Sequence, residues 1–303
     1  MKKLLLLLIS LSLQAQIPKG KKVISKLYIY DLATTESKLI LKENRHFEAP
    51  NWSRNGNFLL INSQGRLEKI NLDGKKLEVL NTGEIRKSNN DHGYSFNGET
   101  LFISSGKNEI EAHTSFIYKV DAKGGTPDQI TPKTPSYWHG VSPDGKSIVY
   151  CALRNGNYDV FKMNSNGGEE IRLTFAEGLD DGPEYSPDGK YIYFNSYRTK
   201  QMQIWRMKKD GSDPEQITFD SYSNWFAHIS PNGDVAVLIS YLEDQRQKHP
   251  FGKDVKLRLI NLNTREIRDL TEPFCGGQGT INVPSWNPNG TQFAFVKYEL
   301  EEL

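Results

Sequence analysis

His92 and His139 occupy the same place in two copies of a recurring pattern: each stands three residues before the serine of a Ser-x-x-Gly step, Ser95 to Gly98 and Ser142 to Gly145. Imidazoles at one register of neighbouring strands point the same way. Asp180, Asp181 and Glu184 come from the next copy and His228 from the one after it. Histidine and carboxylate together are the donor set of a divalent metal site, with His92, His139 and His228 as ligands and Glu184 or Asp181 as a general base. The same residues suit two plainer roles, in which each imidazole caps a loop through a backbone carbonyl or bonds a ligand directly. Glu48 and Asp91 extend the polar ring. Trp138 and Trp225, beside Tyr137 and Phe226, offer either flat faces for stacking a sugar or peptide or packing surface between strands. Gln278 lies in the Gly-rich run Phe274 to Thr280, placed to overhang the same point. Such a run can cradle an anion through its N–H groups, although no βαβ unit surrounds it as a nucleotide site would require.

The pattern that positions these groups occurs six times: Trp52-Ser53-Arg54-Asn55-Gly56, Tyr94-Ser95-Phe96-Asn97-Gly98, Val141-Ser142-Pro143-Asp144-Gly145, Tyr185-Ser186-Pro187-Asp188-Gly189, Ile229-Ser230-Pro231-Asn232-Gly233 and Trp286-Asn287-Pro288-Asn289-Gly290. Its spacing of 42, 47, 44, 44 and 57 residues, read between successive first residues, is that of a four-stranded propeller blade. Asp-Gly and Asn-Gly supply the positive-φ residues of a tight hairpin, and proline before them cannot continue a central strand. Each copy therefore joins a blade's inner strand to its second strand. Apolar runs such as Tyr191 to Phe194 follow as second strands, then alternating third strands such as Gln203 to Met207. Short outer strands end in threonine, as in Gln216-Ile217-Thr218. Residues 283–303 hold two strands, and 25–42 hold two more without an inner partner. Together they make the last blade, so the fold predicted is an all-β six-bladed propeller over residues 17–303, closed by its N-terminal strands. Closure removes the exposed sheet edges that invite aggregation.

The copies Ser-Pro-Asp-Gly-Lys at 142–146 and 186–190, with the trailing Gln-Ile-Thr, resemble the repeats of TolB-like propellers across nearly the whole chain. The resemblance implies the fold more strongly than a function, since prolyl-oligopeptidase relatives and oligogalacturonate lyases share the repeat. TolB itself carries an N-terminal α/β domain, which this sequence is expected to lack, so that domain's partner contacts are not carried over. The lyases' metal site uses clustered histidines and a glutamine, whereas here Gln278 has no histidine close behind it. No Gly-x-Ser-x-Gly elbow is found, which sets aside a serine hydrolase.

Thirty-eight basic residues balance 37 acidic ones, for a net charge of +1. No basic block stands out, so nucleic acid is not an expected partner. Met1 to Leu13 combines a two-lysine start with an apolar run too short to span a bilayer, and Gln14-Ala15-Gln16 follows. That is the layout of a signal peptide over residues 1–16, with no cysteine after it to take a lipid anchor. The expectation is a monomeric periplasmic or secreted protein that does not span the membrane. Its ligand at the channel mouth is an envelope protein, a peptide or a glycan. A metal-assisted lyase or hydrolase is the alternative. Cys151 closes an apolar run and Cys275 sits in the Gly-rich segment, so they read as one buried thiol and one loop thiol, or as a disulfide that export would permit.

Overall fold

A computed structural model describes residues 17–106 and 114–303; the expected signal peptide lies outside the described residues. Among them there is no helix, and the strands form six antiparallel sheets arranged as six blades. The inner strands of the first five are Glu48–Trp52, Ser88–Tyr94, Ser136–Val141, Asp180–Tyr185 and Ser223–Ile229. In blades one to four the sheet runs inner, second, third, outer in sequence order. Inner and second strands are buried on both faces, because each blade is sandwiched between two others. That is why the second strands read as continuous apolar runs rather than alternating ones. Their side chains fill the clusters between blades: Leu59 and Ile61 with Leu27 and Val296, Ile192 and Phe194 with Val149 and Val160. Each such fully buried aliphatic contributes about 1.5–3 kcal/mol relative to exposure.

The repeated turn shares one side-chain mechanism in blades one to four, while in blade five the Ser230 hydroxyl donates to Asp234 instead, at 2.7 Å. Only the turn's glycine takes positive φ, from 68° at Gly189 to 79° at Gly56, and the residue before it does not. The expectation that Asp or Asn also adopts that conformation is corrected: the side chain does the work instead. The Asp144 carboxylate accepts from the Ser142 hydroxyl at 2.5 Å and from the Lys146 amide at 3.0 Å, while the Ser142 hydroxyl accepts from the Ser147 amide at 3.0 Å. The Ser186–Asp188 turn repeats the arrangement. This is a hairpin turn followed by a left-handed glycine bulge, held by side-chain bonds made within the repeat.

The outer threonines have a cause of their own. Outer strands are only two residues long in blades two to four. Beyond them, the hydroxyls of Thr131, Thr174 and Thr218 accept from the third-strand amides of Ile117, Val160 and Ile204 at 2.8, 2.9 and 2.9 Å. A side chain thus stands in for the missing ladder.

Blade six departs from expectation in detail. Lys21–Asp31, starting earlier than residue 25, pairs with Gln292–Glu302 without a break from Lys21–Glu302 to Asp31–Gln292, and Glu36–Glu43 adds outside it. The closure joining the two ends of the chain is therefore long. The inner segment before it is not a regular strand: a single bridge, Trp286 to Phe293, and an Ala294 amide to Ser285 carbonyl bond hold it. Pro284, which has no N–H to give, interrupts it. In blade five, an added strand, Phe274–Gly276, pairs with Lys253–Val255. Cys275 lies in that strand, half-buried, and Cys151 is buried; both are free thiols.

Candidate functional site

At the end of each inner strand opposite the repeated turn, the ladder slips. Register shifts occur between Glu48 and Asn51, Ser88 and His92, Trp138 and Gly140, Asp181 and Glu184, and Trp225 and His228. In three blades a left-handed residue sits four positions before the repeat serine: Ala49 at φ 53°, Gly182 at 59° and Phe226 at 48°. Alanine and phenylalanine gain nothing locally from this conformation, so the surrounding structure must impose it at a cost of order 1 kcal/mol each. Bulges of this kind re-aim side chains. Here they turn a ring of polar groups toward the channel.

The best-ordered part of the ring spans blades three and four. His139 Nε2 lies 3.1 Å from Asp181 Oδ1, which also accepts from the Gly182 amide at 2.7 Å. His249, from the long blade-five insertion, approaches the other carboxylate oxygen at 3.7 Å. Burial would push the Asp181 carboxyl up, but His139 and His249 outweigh it and hold its pKa at about 2. Burial likewise works against the charged form of His139, yet Asp91 and Asp181 hold its pKa above the usual histidine range. The insertion is strapped down next to this pair: Gln247 Oε1 accepts from the Leu179 amide at 2.7 Å, and Pro250 lies against Gly277.

Blades one and two behave oppositely. Burial, reinforced by the Asp91 charge, pushes Glu48 up to about 8. Burial raises Asp91 to about 7, with His139 pulling down and Asp181 pushing up. One Glu48 oxygen accepts from Asn62 Nδ2 at 3.0 Å, whereas Oε2 is buried without a hydrogen-bond partner. Around it lie other unpaired buried polar atoms, on Asn90, Thr280, Asn282 and Tyr298. Gly279, at φ 89°, closes this corner: a Cβ there would lie 2.4 Å from the Tyr298 hydroxyl and 2.8 Å from Glu48. Gln278, just before it, is buried, and its amide donates to the Pro250 carbonyl at 3.4 Å.

The remaining candidates are distributed differently from expectation. His228 and Glu184 form a bridge between blades, with Nδ1 2.6 Å from Glu184 Oε2 and Nε2 2.6 Å from the Ile281 carbonyl. Both ring nitrogens are engaged, so His228 offers no lone pair to a metal. His92 is fully buried in blade two, and burial drives its imidazole down to about 4. The three histidines are not assembled into one site, and among the described residues no group of three His, Cys, Asp or Glu side chains is arranged to hold a metal ion. Asp180 is committed to Arg198 at 3.1 Å. Trp138 is 1% exposed, stacked on Phe102 at 5.8 Å, and Trp225 is 0% exposed, with His249 at 4.7 Å. Neither indole presents the open face expected of a stacking platform, because the bulge directs both between blades. His249, Asn62 and Tyr298 belong to the site although the repeat does not single them out. The only forewarning was the length of the insertion that carries His249. On the opposite face, between blades one and two, a groove of about 660 Å³ is lined by Arg54, Phe58, Lys69, Tyr94, Phe96 and Lys123 among others.

The chain matches the model of the TolB beta propeller domain over residues 134–302. It is 45% identical to the uncharacterized protein Atu1656 of Agrobacterium fabrum over 280 residues, covering 92% of this chain and 94% of that one. A solved structure from Agrobacterium tumefaciens, assigned provisionally to TolB, superposes with a TM-score of 0.86 at 44% identity, covering 91% of this chain and 99% of that one. TolB from Acinetobacter baumannii shares the fold at a TM-score of 0.64 and 18% identity, over 86% of this chain and 66% of that one. With six blades built on one repeat, a closure strand from the N-terminal side and these relatives, the chain belongs to the TolB-like β-propeller family.

Proposed function

We propose that this chain is an exported binding module, periplasmic or secreted, which engages a protein, peptide or glycan at the bulged end of its channel. The observation that carries the reading is the set of buried polar atoms left unpaired there, Glu48 Oε2 foremost. Unpaired buried acceptors are costly, about 1–3 kcal/mol each, and a fold that retains several together keeps them for an incoming partner or for water. The strain at Ala49 and Phe226 points the same way, since it serves no packing need at the equivalent positions of other blades. The lysine-led apolar start of the sequence supports export.

A photo-crosslinking residue placed at Lys248, on the exposed insertion above the site, tests this in the native envelope. Adducts from position 248, and none from the same residue at Leu77 on an outer strand, are expected. Equal adducts from both, or none from 248 in a folded protein, would remove the reading.

A further inference from the structure

We infer that the pocket around Glu48 and Asp91 takes an ammonium group, presented by a lysine side chain or the free N-terminus of a peptide. The inference rests on the channel end being a binding site and names the chemistry it selects. Three carboxylates, Glu48, Asp91 and Asp181, come from blades one, two and four and form a chain in which Glu48 feels the Asp91 charge and Asp91 feels that of Asp181. The groups facing them are few. His139, His249, Cys151 and Tyr158 face Asp181; His46, Asn62 and Tyr298 face Glu48; Tyr137, His139 and Cys151 face Asp91. Of the titratable groups among these, only His139 is a cation held toward its charged form, and it is committed to Asp181. Among the described residues no lysine or arginine forms an ion pair with any of the three carboxylates.

Glu48 Oε2 decides the ligand type. It is an acceptor on a residue 5% exposed, aimed at the Gly279 corner, with no donor on it. An ammonium brings three N–H donors and no acceptor, which matches a buried carboxylate oxygen that accepts no hydrogen bond. A hard metal ion asks for six or more oxygens and does not fit so loose a set. Protonation explains how the pocket survives with little charge: burial keeps Glu48 largely protonated and Asp91 about half protonated at neutral pH. A cation entering the pocket favours their charged forms, so binding must expel protons into solution.

The test titrates the protein, in weakly buffered solution at pH 7.5, with the amide of Gly-Gly-Lys and with acetyl-Gly-Gly-norleucine amide, which has the same length and no ammonium. Heat and released protons are both recorded. The lysine peptide should bind at least tenfold more tightly and release protons. Glu48→Gln should weaken it at least tenfold, and Asp91→Asn provides a second variant should the first fold poorly. Equal binding of the two peptides overturns the ammonium assignment but leaves a binding site. So does calcium or manganese chloride binding that Glu48→Gln abolishes, since that would make the pocket a metal site. No peptide binding, with adducts still formed at Lys248, shows that the site binds another class of ligand. No peptide binding and no adducts would bring down both readings.

Discussion

The two ends of each inner strand obey different rules. At one end, Ser142, Asp144 and Gly145 close a turn whose side-chain bonds are all local, and the glycine's left-handed φ meets open space. At the other, the ladder bulges, Ala49 and Phe226 carry strain, and Glu48 Oε2 and its neighbours go unpaired. The first end could be copied from blade to blade because its chemistry is local. The second differs in every blade because its neighbours come from other blades, and that variation is what a binding site needs. Stability is concentrated where the repeat is strict, and recognition where it breaks down.

The same substitution at the two ends separates them most sharply. Gly279→Ala would force a Cβ into the Tyr298 hydroxyl and Glu48 at positive φ. It should lower stability by about 3 kcal/mol, read as a shift in the urea midpoint. A loss near that of an ordinary turn glycine would mean that the corner is plastic and poorly suited to select a ligand.

Next comes the pH dependence. Glu48 is held at about 8 against 4.5 for a free side chain, so the native state binds the extra proton between those values. Its contribution is fully present below about 4.5 and is lost as pH rises through about 8. Relative to Glu48→Gln, the natural protein should lose a few kcal/mol between pH 5 and pH 9. Asp181 has the opposite sign: its stabilisation is present above 3.8 and is lost only as pH falls through about 2. Parallel urea midpoints for the natural protein and Glu48→Gln across the range would show that the Glu48 corner is solvated.

The smallest effect belongs to the strict end. Gly145→Ala meets nothing within 4 Å, so only the φ of 71° resists it. A loss of about 1 kcal/mol in thermal or urea unfolding is expected. A loss matching that of Gly279→Ala would erase the distinction between the ends.

The strict end was legible in the sequence for the same reason that it is strict. Ser-Pro-Asp-Gly needs only its own four residues and the two that follow to explain itself, and its spacing counts the blades. Counting back from the serine also reached Glu48, Asp91, His139 and Asp181, because position along a strand fixes which end of the channel a residue occupies. It did not reach what the bulges do. Nothing in the composition of Ala49 or Phe226 announces a left-handed backbone, and nothing in the spacing shows that Trp138 and Trp225 are buried between blades rather than open to a ligand. Nor could spacing reveal that His228 spends both nitrogens on Glu184 and Ile281, or that Asn62 and His249 arrive from a second strand and an insertion. These are contacts between blades, invisible to a pattern that repeats within one.

The closure strand sets the timing of folding. Lys21 and Glu302 pair across 281 positions of sequence, so a strand among the earliest to be synthesised waits for a partner among the last. Such long-range pairing is slow to form, since the loop it closes must be gathered first. Until it forms, the two buried faces of Lys21–Asp31, with Leu27 on one and Tyr30 on the other, have no permanent cover. The same delay makes the unclosed ring the state most exposed to chaperones, proteases and aggregation.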